Sequence, residues 1–108
     1  MDAERVAQFQ ALIALEPEDT VLRFGLGELY VEAGDFARAA EQFAAIVRLD
    51  PQYSAAYRYL GQSYAALEQG AEARQIFERG IAVAEARGDL QTAKEMRVFL
   101  RRLDKQTP

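Results

Sequence analysis

FGLGELYVEAGDFARAAEQF, residues 24–43, returns in altered form as YLGQSYAALEQGAEARQIF, residues 59–77. Laid against itself at an offset of 34, the chain pairs Leu26 with Leu60, Gly27 with Gly61, Tyr30 with Tyr64, Ala39 with Ala73 and Phe43 with Phe77 without a gap. A fixed period of this length marks a repeat architecture. Within the first copy the apolar residues recur three and four apart: Leu22, Leu26, Leu29 and Tyr30, then Phe36, Ala39, Ala40, Phe43, Ile46, Val47 and Leu49. That spacing predicts two amphipathic helices per copy, and no alternating run is present from which a strand would be built. Between them Ala33-Gly34-Asp35 supplies a glycine for a left-handed turn and an aspartate to cap the next helix, while Asp50-Pro51 stops that helix.

Gly27 and Gly61 stand in the middle of their helices, where glycine costs about 0.5–1 kcal/mol relative to alanine. Close approach of a neighbouring helix accounts for them, with Ala39 and Ala73 allowing the same from the facing side.

The flanks complete what two copies leave open. Shifted by the same 34, Phe9 falls on Phe43, Leu12 on Ile46, Leu15 on Leu49 and Pro17 on Pro51. Residues 3–15 therefore read as the second helix of a truncated unit. At the other end Ala93, Met96, Leu100 and Leu103 form one stripe with bases opposite and no repeat signature, which predicts a capping helix over 89–104. The expected fold is all-α, six helices in three antiparallel pairs, forming one domain over residues 1–108.

These residues resemble the tetratricopeptide repeat family, whose 34-residue unit carries Leu-Gly, Tyr, Gly, Ala, an aromatic residue and Pro at fixed places. The first copy, 20–53, matches with Leu26-Gly27, Tyr30, Gly34-Asp35, Ala39, Phe43 and Asp50-Pro51. The second, 54–87, matches with Tyr57, Leu60-Gly61, Tyr64, Ala73, Phe77 and Gly80. It departs from the pattern with Glu68-Gln69 in place of Gly-Asp and Glu85 in place of proline.

The resemblance implies a protein or peptide interaction module, a scaffold or adaptor, that binds an extended peptide or a partner's helix along the groove formed by the first helices of successive repeats. The groove positions it designates are Val21, Phe24, Glu28 and Glu32 in the first copy and Ala55, Arg58 and Gln62 in the second. Phe24 neighbours the stripe of Leu22, Leu26 and Leu29 without belonging to it, so its ring suits a hydrophobic anchor. One branch of the family grips carboxylate-terminated chaperone tails with a lysine and asparagines at these places. Here they are Phe24, Glu28, Arg58 and Gln62, so that clamp is not assembled. The mixture favours a ligand with an apolar side chain and a basic group near it.

Composition narrows the alternatives. The chain has no histidine and no cysteine, so disulfides, thiolate nucleophiles, sulfur-ligated metals and the commonest general base are absent together. Gly25-Leu26-Gly27 lacks the third glycine and the preceding strand of a dinucleotide-binding turn. Carboxylate pairs such as Glu28/Glu32 and Glu68/Glu72 offer too few oxygens for a hard cation. No catalysis, metal or cofactor is expected.

The net charge of −4 disfavours nucleic acid, and no run is long enough to span a membrane. Together with an amino terminus unlike a secretory signal, this gives a cytoplasmic expectation. The charge is unevenly spread: residues 1–51 carry ten acids against four bases, and 52–108 seven against nine. A second expectation, self-association as a homodimer through matching end helices, rests on Leu90, Val98 and Phe99 of the last helix.

Overall fold

A computed structural model describes residues 2–106. Among them the chain forms six α-helices and no strand: α1 (Ala3–Leu15), α2 (Thr20–Glu32), α3 (Phe36–Leu49), α4 (Ser54–Ala66), α5 (Gly70–Ala86) and α6 (Leu90–Gln106). Turns of a few residues force successive helices to run antiparallel, and each packs on the next. α4 also meets α6, and rings of α2 and α4 touch across the array. The even helices thus share one side and the odd helices the other, in a stack 41 × 29 × 19 Å. This is the expected all-α hairpin array.

Capping fixes where several helices begin. Asp2, Asp19 and Asp35 each accept the backbone N–H three residues ahead, from Arg5, Leu22 and Arg38. Asp89 does the same for Thr92 at the start of α6. α4 and α5 begin without a side-chain cap.

The core is a file of large side chains set between small ones. Tyr57, Phe43, Phe77, Leu26, Ile46, Leu60 and Met96 are fully buried, with Ala39 and Ala73 sealed between them. Gly27 lies under the Phe43 ring so closely that a Cβ there would stand 2.7 Å from it, and Gly61 lies likewise under Phe77. The mid-helix glycines are therefore the price of an aromatic ring laid directly on a backbone.

Both hairpin turns take the same path. Gly34 has φ 75° and Glu68, its counterpart, has φ 61°. In each the N–H after that residue reaches back five residues, Asp35 to the Tyr30 carbonyl and Gln69 to the Tyr64 carbonyl, both at 2.9 Å. The second repeat differs at its exit. α5 has 17 residues against 14 in α3, because Glu85 continues the helix and pairs with Arg97 instead of breaking it.

α1 is the least enclosed element, with no buried residue. Val6, Phe9 and Ile13 lean on the core, Phe9 over Gly25, and the Gln10 amide donates to the Tyr30 hydroxyl at 3.2 Å. On the capping helix, Ala93, Met96 and Leu103 are buried and Leu100 partly so.

Candidate peptide-binding groove

α2, α4 and α6 flank a recess of about 310 Å³ whose walls are Val31 from α2, Phe36 at the start of α3, Tyr59, Gln62, Ser63, Ala65 and Ala66 from α4, and Phe99 from α6. At its floor the last turn of α4 carries the small side chains of Ala65 and Ala66, while α3 and α6 bring the rings of Phe36 and Phe99. Phe99 is fixed by stacking on buried Phe77 at 5.8 Å between centroids. Tyr59 is fixed by stacking on Phe43 at 5.0 Å. Both walls are thereby held by the core.

Next to the recess lies an aromatic cluster. Phe24 meets Phe43 and Tyr59 edge-on and stacks on Tyr53, all with centroids 5.3–5.4 Å apart. Its ring is half-buried and held by α3, α4 and the residue preceding α4; no ring of α1 takes part. The Tyr53 hydroxyl is pushed above its ordinary pKa by burial first, then by the charges of Glu28 and Asp50. Glu28 follows Phe24 by one helical turn on α2, and its charge acts on Tyr53.

The remaining groove positions divide by environment. Val21 stands clear of the protein, 72% exposed at the first turn of α2. Glu28 and Glu32 are exposed one turn apart, and among the described residues neither has an ion-pair partner. Ala55 is half-buried beside Tyr53 and Arg87. Arg58 is spoken for twice, since it pairs with Glu95 of α6 at 3.5 Å and lies 4.5 Å over the Tyr59 ring. Gln62 lines the recess itself. The structure thus joins Phe24, Glu28 and Arg58 through Tyr53 and Tyr59, and sets Val21 and Ala55 apart at one end.

Several wall residues escaped the repeat pattern. Phe36 and Phe99 belong to helices other than the groove-forming helix of a full repeat. Tyr59 faces Phe43 at the place where α2 has Gly25, so its signal was the contrast between copies. Of the end-helix residues, Val98 and Phe99 are half-buried and Leu90 is 67% exposed.

What this arrangement offers is an apolar slot, with the exposed Glu28 and Glu32 on the helix that supplies Val31 and the Arg102 guanidinium 5.3 Å over Phe99 on the α6 side. Such a slot is suited to holding a side chain of another chain.

A stack of helical hairpins with aromatic rings seated on paired glycines defines a helical repeat protein of the interaction type. The tetratricopeptide repeat family matches residues 5–54 and 24–89, and the chain belongs to it. The chain is 46% identical over 96 residues to the TPR repeat-containing protein PA0015 of Pseudomonas aeruginosa, covering 89% of this chain and 91% of that one. It is also similar to protein BPP2914 of Bordetella parapertussis in its solution structure: TM-score 0.82, 39% identity, 98% of this chain and 91% of that one. At 22% identity the fold alone is shared with the first TPR of Spaghetti (RPAP3), bound there to an HSP90 peptide, with TM-score 0.81 over 94% of this chain and 75% of that one. The family and fold are those of protein-interaction modules, generally without catalysis. No helix among the described residues is long and apolar enough to cross a membrane.

Proposed function

We propose that this protein is a cytoplasmic adaptor or scaffold that holds a partner peptide in the groove of α2, α4 and α6, through Val21, Phe24, Glu28, Glu32, Ala55, Arg58 and Gln62 together with the recess walls. The observation that carries this reading is the apolar recess, with Glu28 and Glu32 exposed on the helix that supplies its Val31 wall and without an ion-pair partner among the described residues. An aliphatic or aromatic side chain enters the recess and a neighbouring lysine or arginine meets the acids. Phe24 serves indirectly, by fixing Tyr53 and Tyr59. Because the walls are held by the core, binding costs the receptor little ordering.

The HSP90 peptide bound by the RPAP3 domain shows a peptide held on this fold, and the chemistry here differs from an acid-tail clamp. With Arg58 committed to Glu95, the acidic side of the groove dominates. The ligand class is therefore an apolar residue with basic neighbours.

Calorimetric titration with synthetic peptides tests this. A leucine or phenylalanine flanked by lysines is expected to bind, and the same peptide flanked by glutamates is not. Ala66→Trp fills the recess from an exposed position, and Glu28→Lys with Glu32→Lys reverses the charge on α2; each is expected to weaken the basic peptide at least about tenfold, or ~1.4 kcal/mol. Equal binding to all three proteins, or preference for the acidic peptide, overturns the assignment.

A further inference from the structure

α1 and α3 are equivalent in register yet not in environment. Ile46 of α3 is fully buried between the helices packed on α3, whereas its counterpart Leu12 is 47% exposed and Leu15 is 78% exposed. The stripe Glu4, Gln8, Leu12, Leu15 runs along α1 opposite Val6, Phe9 and Ile13, and all four of its residues are exposed. α6 presents the reciprocal surface. Leu90, Lys94, Val98, Arg101 and Lys105 follow at spacings of three and four on the side opposite Met96 and Leu103, and all but Val98 are exposed.

The two stripes complement each other in charge. Residues 2–19 hold five acids and one base; residues 89–106 hold three acids and five bases. Two of the acids on α6 are already used within the molecule, Glu95 by Arg58 and Asp104 by Arg74. Lys94, Arg101 and Lys105 have no ion-pair partner among the described residues.

We propose that α6 of one copy docks on α1 of a second copy, continuing the alternation of helices from molecule to molecule. An antiparallel crossing, as at every neighbouring pair within the chain, sets Leu90 and Lys94 against Leu12, Leu15 and Glu16. It sets Arg101 and Lys105 against Glu4. The contact is heterologous: a pair keeps one free α1 stripe, on one copy, and one free α6 stripe, on the other, so assembly does not close at two. α6 carries no glycine to admit a ring onto its backbone, as Gly27 and Gly61 do. The docked helices therefore sit farther apart than partners within the chain, and association is weak, steered by charge and sensitive to salt.

Sedimentation velocity over a concentration series tests the proposal on the full chain. The average mass is expected to climb past twice the 12.1 kDa of one copy. Raising salt from about 0.05 to about 0.5 M is expected to weaken association at least about tenfold. Leu15→Glu and Leu90→Glu, both at exposed positions with helicity checked by circular dichroism, should each sediment alone as monomers. Mixed, they should form a one-to-one pair and stop there, since the first keeps its α6 stripe and the second its α1 stripe. A constant 12.1 kDa species at every concentration overturns the proposal. So does self-association of Leu15→Glu at wild-type strength, which indicates a symmetric α6 contact, or a mixture that stays monomeric while the wild type associates.

Discussion

The turn at Ala33-Gly34-Asp35 and the turn at Leu67-Glu68-Gln69 follow one backbone path with different residues. The first has a glycine at positive φ and an aspartate that caps the following helix; the second holds a glutamate at φ 61° and has no side-chain cap. A non-glycine residue in that conformation costs about 1–2 kcal/mol. The second turn is nevertheless held in place because the helices it joins are already committed by Gly61 under Phe77 and by Leu60 and Tyr57 in the core. Packing between helices outranks local turn chemistry in this fold, and the two repeats differ in where their stability resides.

Removing the ring at the centre of each repeat separates them most. Phe43→Ala and Phe77→Ala should each cost about 3–5 kcal/mol. Phe43 meets both Phe24 and Tyr59, whereas Phe77 meets Phe99. With aromatic pairs contributing about 0.5–1.5 kcal/mol beyond burial, Phe43→Ala is expected to be the worse of the two by ~1 kcal/mol. Urea midpoints measured on both variants check the order. Equal losses would mean that the Phe24 contact adds nothing.

The backbone approach comes next in size. Alanine is a better helix former than glycine by about 1 kcal/mol, so Gly61→Ala stabilises an isolated helix. Here its Cβ runs into the Phe77 ring, and overpacking of this kind costs about 1–3 kcal/mol. A net loss on thermal unfolding is expected, with the same sign for Gly27→Ala. A gain at Gly61 alone would show that the second repeat packs more loosely than the first.

The turn itself can be repaired. Glu68→Gly relieves the left-handed glutamate but gives the unfolded chain more freedom, so the net gain is about 0.5–1 kcal/mol. Gln69→Asp adds the missing cap for about 1 kcal/mol more. Gly34→Glu, the reverse exchange, should lose about 1–2 kcal/mol. Chemical denaturation of the three variants measures whether the turns are interchangeable; a destabilised Glu68→Gly would show that the glutamate side chain has a use in place.

Helix number, hairpin pairing and the reason for the mid-helix glycines were legible in the sequence because a 34-residue period and a three-four spacing report directly on which residues meet. The groove was legible only as a set of positions. The repeat pattern says that Phe24 and Arg58 face the same side, yet not that Phe24 is taken up by Tyr53 and Tyr59, nor that Arg58 is taken up by Glu95. Those contacts reach between repeats and into α6, which has no repeat signature. The recess escaped for the same reason, since Phe36 and Phe99 reach it from helices that the groove positions do not include. A periodic signal describes one unit well and describes poorly what lies between units.

A third turn, Arg87-Gly88-Asp89, extends the comparison where proline would have ended the second repeat. Its aspartate does more than the one at position 35. Asp89 accepts the Ser54 hydroxyl at 2.6 Å from the start of α4 as well as the Thr92 N–H, so it ties α6 to α4 while capping α6. The Ser54 hydrogen bond first, and those from Thr92 after it, hold the Asp89 carboxyl below its ordinary pKa. A depressed folded pKa means that the contribution is fully present above the unfolded value, about 4, and is lost as pH falls through the folded one. Asp89→Asn keeps a capping oxygen without the charge, so a modest loss of about 0.5–1 kcal/mol is expected at neutral pH. That gap to the wild type should narrow on acidification below pH ~4, where the native carboxyl takes up its proton. Urea unfolding of both proteins along a pH series measures it. A gap that stays constant to low pH would show that the link between α4 and α6 does not depend on the charge of Asp89.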